Sequence, residues 1–474
     1  MNAKSNVLWW IFFLIFSSFR ISAQTSVFEV SDTSKFTVSR IIVIGNKVTK
    51  DRIIFRELIF HVGDKLPLYV LNTAIGRSKE NLLNTLLFNF VTMQLLDDID
   101  DKKAVVITVT ERWYIFPVPI FELVDPNFNT WWKTKDWSRV NYGFTVTNNN
   151  FRGMQEFLSI TAKFGYSQKF SLNYSIPYLT RNQDNGLQIG GGYNRNHEIN
   201  YTLENSQLEF YKNEDVYIRK EYFGYIRYTH RNKIYNYTAV GAEYRYSDVD
   251  DAVIKLNPRY FLPLQNYGQY LALTFKWTRD KRVDRIYSLK GYYFDAELNK
   301  LGFGAFKNEP SLLFISSTFK NSLRLNNRLH YCYFVKGRIT GQNEAPFYNQ
   351  RALGYSSDAI RSYELYVING QQFALYKSNL KFSIIPQRVV QLPGIQSDKF
   401  AKVPYALYLN LLFDMGYVVD NTFANTNPLA NQWLQGYGIG LDFVSYYNIV
   451  LRAECSVNKF GEYGLFLHFS NALY

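Results

Sequence analysis

The sequence predicts a mainly β protein: a 16-stranded antiparallel transmembrane β-barrel preceded by one small α+β domain. Three observations lead there. Strand-length runs alternate apolar and polar residues over most of the chain, as in "KFSLNYSIPYL", where Phe170, Leu172, Tyr174 and Ile176 alternate with Lys169, Ser171, Asn173 and Ser175. Beyond the first two dozen residues no apolar run reaches the roughly 18 residues that a spanning helix needs. Aromatic residues make up 18% of the 474-residue chain, with 38 Tyr and 38 Phe, a composition that favours strands and membrane interfaces.

In chain order, residues 1–23 read as a secretory leader. Lys4 supplies the positive start, Val7 to Phe19 form a short apolar core, and Ala23 precedes the expected cut at Gln24. Residues 36–113 read differently from the rest. "FTVSRIIVIGNKVT" is a strand ending at the turn pair Gly45-Asn46. "TKDRIIFRELIF" puts Ile54 and Leu58 at helical spacing, with Thr49 as the expected N-cap. Leu71, Ile75 and Leu82 mark a second helix, and two strands follow in "LLFNFVTMQLLDD" and "KKAVVITVTERW". The order is β-α-α-β-β. Residues 114–138 read as a linker.

From residue 139 to 474 the pattern is strands alone. Tyr437, Ile439, Leu441 and Phe443 alternate with Gly438, Gly440 and Asp442, and Leu465, Leu467 and Phe469 recur in the final run. A β-sandwich could also place the polar face in water, but strands continue far beyond the length of one sandwich. Lipid outside and a polar lumen inside fit better. About 336 residues at roughly 20–22 per strand and connection give about 16 strands, the sixteenth being "EINYTLENSQLEF", Glu198 to Phe210.

Composition excludes several classes. The net charge of +13 comes with no long Lys/Arg run, so a nucleic-acid interface is not expected. Cys332 and Cys455 are the only cysteines, which indicates neither a disulfide framework nor a zinc site, and no metal or other cofactor is expected. His61, His197, His230, His330 and His468 belong to no catalytic motif, and Asp295 with Glu297 reads as lumen polarity, so no catalytic residue and no enzyme activity are expected. "GGG" at Gly190–Gly192 sits in a strand with no helix behind it, which argues against a nucleotide loop.

Leader, β-α-α-β-β module and 16-stranded barrel together resemble the BamA/TamA family of outer-membrane assembly factors, with the module resembling a POTRA domain in "IIVIGNKVT" and "LLFNF". A more specific likeness lies in "AIRSYELYVINGQQ". The family carries a Val/Ile-Arg-Gly-Phe/Tyr motif on a long loop folded into the lumen; here it reads Ile360-Arg361-Ser362-Tyr363, with Ser362 in place of the glycine. "FDMG", Phe413 to Gly416, resembles the family's partner motif in the second strand after that loop. The resemblance implies that Arg361 contacts Asp414 and pins a loop of about 30 residues, Gly341–Gln371.

The resemblance further implies insertion and folding of other β-barrels. Client would bind the module's strand edge, then a seam between the first strand (Arg139 to Thr147, with Tyr142 and Gly143) and the last (Leu465, Leu467, Phe469). The implied partners are unfolded outer-membrane proteins, outer-membrane lipid and accessory lipoproteins. The implied location is the bacterial outer membrane, with the module in the periplasm. A polypeptide-secretion transporter or pore built on the same barrel is the alternative.

Overall fold

The computed structural model describes residues 34–99, 102–123, 137, 140–262, 265–307, 309–342, 344–355, 358–397 and 399–470. The expected leader lies outside them. The chain divides into two compact units, residues 1–112 and 113–474.

In the first unit, strand β1 (Lys35–Ile44) leads to helix α1 (Asp51–Phe55), the short β2 (Lys65–Pro67), helix α2 (Leu68–Asn84), β3 (Phe88–Asp97) and β4 (Lys102–Glu111). The sheet order is β2-β1-β4-β3, with β1 and β4 parallel and the other pairs antiparallel. Leu71 and Leu82 of α2, Ile53 and Ile54 of α1, and Phe60, Val105 and Ile107 are all sealed from solvent. Two details differ from the sequence reading. The three-residue β2 is an addition, paired to the start of β1. The N-cap position of α1 falls on Lys50, one residue after the expected Thr49, and Lys50 makes no side-chain cap bond; the Thr49 N–H donates to the buried Glu111 carboxylate at 2.7 Å.

The second unit is all antiparallel barrel sheet apart from its connections. Its strands are β5 (Ile115–Leu123), β6 (Val140–Phe151), β7 (Glu156–Gly165), β8 (Gln168–Ile176), β9 (Asn185–Asn196), β12 (Arg219–Asn232), β13 (Asn236–Val249), β14 (Tyr267–Asp280), β15 (Gly291–Leu301), β16 (Leu312–Arg324), β17 (Leu329–Thr340), β18 (Gln372–Gln391), β19 (Lys402–Val419), β20 (Leu434–Val444), β21 (Val450–Asn458) and β22 (Tyr463–Ser470). Each pairs with its neighbour in that order, making one 16-stranded sheet. Between β9 and β12, strands β10 (Glu198–Glu204) and β11 (Gln207–Lys212) form a separate hairpin.

The number sixteen holds, but two assignments are corrected. Ile115–Leu123, read as linker, is a strand paired along its whole length with β6. Glu198–Phe210 is not a wall strand but part of the β10–β11 hairpin, whose Ile199 and Leu203 pack on Val253, Tyr260, Phe261 and Phe347. Asn205 and Ser206 at its tip both take positive φ, 52° and 59°, as a two-residue hairpin turn requires.

Contacts across the unit show the sheet curling on itself. The Trp113 N–H, at the start of β5, donates to the Tyr447 hydroxyl in the β20–β21 turn at 3.0 Å, and Phe116 packs edge-on to the same ring. Alternation sets two faces. Leu411, Phe413, Tyr437, Ile439, Leu441 and Phe443 are exposed, while Asn410, Asp414, Asp442 and Glu454 are buried on the other side. An exterior of contiguous apolar side chains belongs in lipid rather than water. Phe170 and Leu172 lie on that exterior too. Interior charges are paired, as in Lys276 with Asp295 and Glu297, and Arg245 with Glu221 and Glu243. Among the described residues no helix is long and apolar enough to cross a membrane.

Candidate functional site

The connection from Gly341 to Gln371 joins β17 to β18, and five strands follow it, so the chain leaves the barrel at the opposite end. It folds into the barrel instead of standing off it. Leu353 and Ile368 bridge as a small antiparallel pair. With Ile360 and Tyr363 they bury against Phe373, Leu375, Val418 and Leu434 of the wall. Arg338 of β17 holds the far end, donating to the Gly370 and Gln371 carbonyls at 2.7 and 3.2 Å.

Arg361 sits at the tip of this inward fold. Its guanidinium donates to the Asp414 carboxylate and, at 2.9 Å, to the Asn379 amide oxygen, and its backbone N–H donates to Asp414 Oδ2 at 3.1 Å. Glu454 of β21 lies 3.4 Å from its Nε. Lys377 of β18 stands 3.9 Å from Asp414. An ion pair this deeply sealed is costly to break, because the surviving partner stays desolvated.

Two glycines give the motif room. A Cβ on Gly416 would lie 2.3 Å from Ile360 Cδ1, and one on Gly436 would lie 2.1 Å from the Arg361 carbonyl oxygen. Gly416 thus faces the loop, whereas Phe413 points outward and packs near Tyr376 at 6.3 Å. Ser362 takes φ 64°, the left-handed region that glycine occupies freely. Its hydroxyl donates to the Glu462 carbonyl at 3.3 Å, and its own carbonyl accepts from Asn458 at 3.1 Å. Tyr363 is buried between Tyr366 and Phe460. The Tyr366 hydroxyl donates to Glu462 at 2.9 Å, and that bond raises its phenol above the usual range. Sequence reasoning missed Asn379, Gly436, Glu454, Asn458 and Glu462. Each sits in an ordinary alternating strand or short turn, where only the folded contact reveals it.

A second inward element lies at the other end. The β14–β15 connection, Lys281 to Lys290, sends Tyr287 across to Asp442 of β20, with a 2.7 Å hydrogen bond. The Tyr287 ring lies tilted against Tyr408, 4.9 Å between centroids, and Lys381 Nζ sits 3.7 Å over the Tyr287 ring. Burial, then the Asp442 carboxylate, keep this phenol protonated well above its usual range. Arg452 binds the same carboxylate through two nitrogens, at 2.6 and 2.9 Å.

The expected seam residues divide. Leu465, Leu467 and Phe469 lie on β22, one end of the sheet, and are 73%, 78% and 65% exposed. Tyr142 and Gly143 do not lie at the other end: they are on β6, paired on both sides, with β5 and with β7. The end strand is β5, and among the described residues no hydrogen-bonded ladder joins it to β22. Proline fits a sheet only where its missing N–H faces away from the ladder. Pro117 and Pro119, both paired with β6, therefore leave the free edge of β5 short of two donors.

No family model matches the chain, and no curated protein matches it. Solved structures do. BamA from Haemophilus ducreyi lacking POTRA domains 1–3 is 17% identical, with a TM-score of 0.46, over 92% of this chain and 84% of that one. CdiB from Escherichia coli is 11% identical, with a TM-score of 0.48, over 95% and 92%. CdiB from Acinetobacter baumannii is 11% identical, with a TM-score of 0.48, over 92% and 73%. The chain is similar to BamA and CdiB barrels.

Proposed function

We propose that the chain is an outer-membrane assembly factor that inserts and folds β-barrel clients through a laterally opening seam between β5 and β22. The observation that carries this reading is the unladdered junction of those two strands, with Pro117 and Pro119 thinning the donors on one side. An edge left unpaired in a sheet templates another strand. The apolar, exposed β22 places that template at the lipid boundary. The N-terminal unit, resembling a POTRA domain, would lie in the periplasm and offer edge strand β3 to unfolded client. Accessory lipoproteins are further partners that this reading expects.

No catalytic step is assigned. The folding free energy of the client drives the process, and the Arg361–Asp414 pair keeps the loop docked while the seam works. A polypeptide-secretion transporter on the same barrel is the rival reading. It requires the inward loop and the Tyr287 connection both to leave the lumen, whereas the seam route needs only two edge strands to part.

The test is client folding in liposomes. The purified protein is reconstituted, an unfolded small barrel is added, and folding is followed by heat-modifiable gel mobility. Acceleration over empty liposomes supports the assembly reading. No acceleration by a protein whose own barrel is folded moves the reading to the transporter.

A further inference from the structure

We propose that Glu364, Glu454 and His468 form a binding site for a divalent transition cation of the zinc class. Their ligand atoms all lie within 4.8 Å of one another. His468 Nε2 and Glu454 Oε1 are 3.3 Å apart. Tetrahedral zinc with bonds of about 2.1 Å has ligand-to-ligand edges of about 3.4 Å. That pair already matches the spacing, and a small movement of Glu364 supplies the third ligand, leaving the fourth position to water.

The second observation is an unsatisfied carboxylate. Glu454 is 1% exposed, and neither of its oxygens accepts a hydrogen bond. Oε2 of Glu364 is equally sealed and equally without one. Arg361 Nε approaches Glu454 Oε2 at 3.4 Å outside hydrogen-bond geometry, because the guanidinium donates instead to Asp414 and Asn379. Arg452 is 4.0 Å from Glu454 but engages Asp442 through two nitrogens. Three carboxylates, Asp414, Glu454 and Glu364, thus face two near cations, Arg361 and Lys377. A cation held between Glu454 Oε1, which accepts no hydrogen bond, and the His468 imidazole supplies one more positive charge and balances the group. An imidazole in the set selects a transition cation over magnesium or calcium, which take oxygen ligands.

The ligands come from three elements: the inward loop, β21 and the edge strand β22. A cation held there ties the edge strand to the docked loop, and the site exists only while both are in place. The binding claim itself does not depend on the assembly reading, since it is measured without client.

The experiment uses the untagged full chain in detergent micelles, stripped with chelator, and titrates Zn2+ against a chromophoric competitor at pH 7.5. Wild type is expected to bind one Zn2+ per chain, with affinity at least tenfold weaker in both His468→Ala and Glu364→Gln. Glu364→Gln alters only the loop, and heat-modifiable mobility confirms that each variant is folded. Absence of saturable binding to wild type overturns the proposal. So does wild-type affinity in either folded variant, or displacement of Zn2+ by equimolar Mg2+.

Discussion

Replacing Arg361 should release the inward loop, and by more than replacing its partner does. In Arg361→Ala, Asp414 and Glu454 remain buried with their shared guanidinium gone; Lys377, 3.9 Å from Asp414, and Arg452, 4.0 Å from Glu454 but bound to Asp442, are the remaining cations, with the His468 imidazole 3.3 Å from Glu454. Removing one member of a buried pair costs about 3–5 kcal/mol. In Asp414→Asn the arginine keeps Glu454 at 3.4 Å and Asn379 at 2.9 Å, so the loss is closer to that of a charged hydrogen bond, about 1.5–3 kcal/mol. Hydrogen exchange of the loop amides near Ile360 and Tyr363 reads the difference directly. A loss of about 3 kcal/mol speeds exchange through local opening by about 100-fold or more. The reasoning fails if Arg361→Ala leaves those rates within a few-fold of wild type, or if Asp414→Asn releases the loop more than Arg361→Ala does.

Other outcomes follow from single contacts. Ser362→Gly relieves a side chain from φ 64° and should slow loop exchange by the equivalent of about 1 kcal/mol, offset in part by the lost bond to Glu462. Gly436→Ala drives a methyl into the Arg361 carbonyl and should dislodge the loop, seen as new protease cleavage between residues 341 and 371. The double variant Pro117→Val, Pro119→Val restores two donors to the edge of β5; at about 1 kcal/mol per bond formed, it should tighten the seam and slow client folding in liposomes. In the N-terminal unit the Ser39 hydroxyl, then the Ile99 N–H and Arg40, hold the Asp98 carboxyl below its usual range. A depressed carboxyl contributes stability above its unfolded pKa of about 3.9, and that contribution is lost as pH falls further. Exchange in β1 should therefore accelerate below about pH 4, and Asp98→Asn should remove that acid-dependent part.

Much of the barrel was legible because the strand period writes its two faces into the sequence. Tyr437 to Phe443 gives the outer face of β20 and Asp442 its inner one without any tertiary information. What escaped were features whose meaning depends on a neighbour. Pro117 and Pro119 count against a strand in isolation, yet they fit one that pairs on a single side, as β5 does. The Asn205-Ser206 turn inside Glu198–Phe210 is a hairpin signal, which sets that segment apart from the wall strands. At the site, the Arg361 and Asp414 positions were readable from their motifs. Glu454 and Asn458 were not, since a buried acid or amide on an alternating strand looks like any lumen residue until the loop is seen against it.

The central claim, that client enters through the β5–β22 junction, is tested most directly by site-specific photo-crosslinking during client folding in liposomes. A crosslinker at Leu465 or Phe121 reports on the two edge strands, and one at Leu273 reports on the outer face of β14, far along the sheet. The account predicts client adducts at Leu465 and Phe121 and none at Leu273. Accelerated folding with no adduct at either edge strand, or with equal adducts at all three positions, would contradict it.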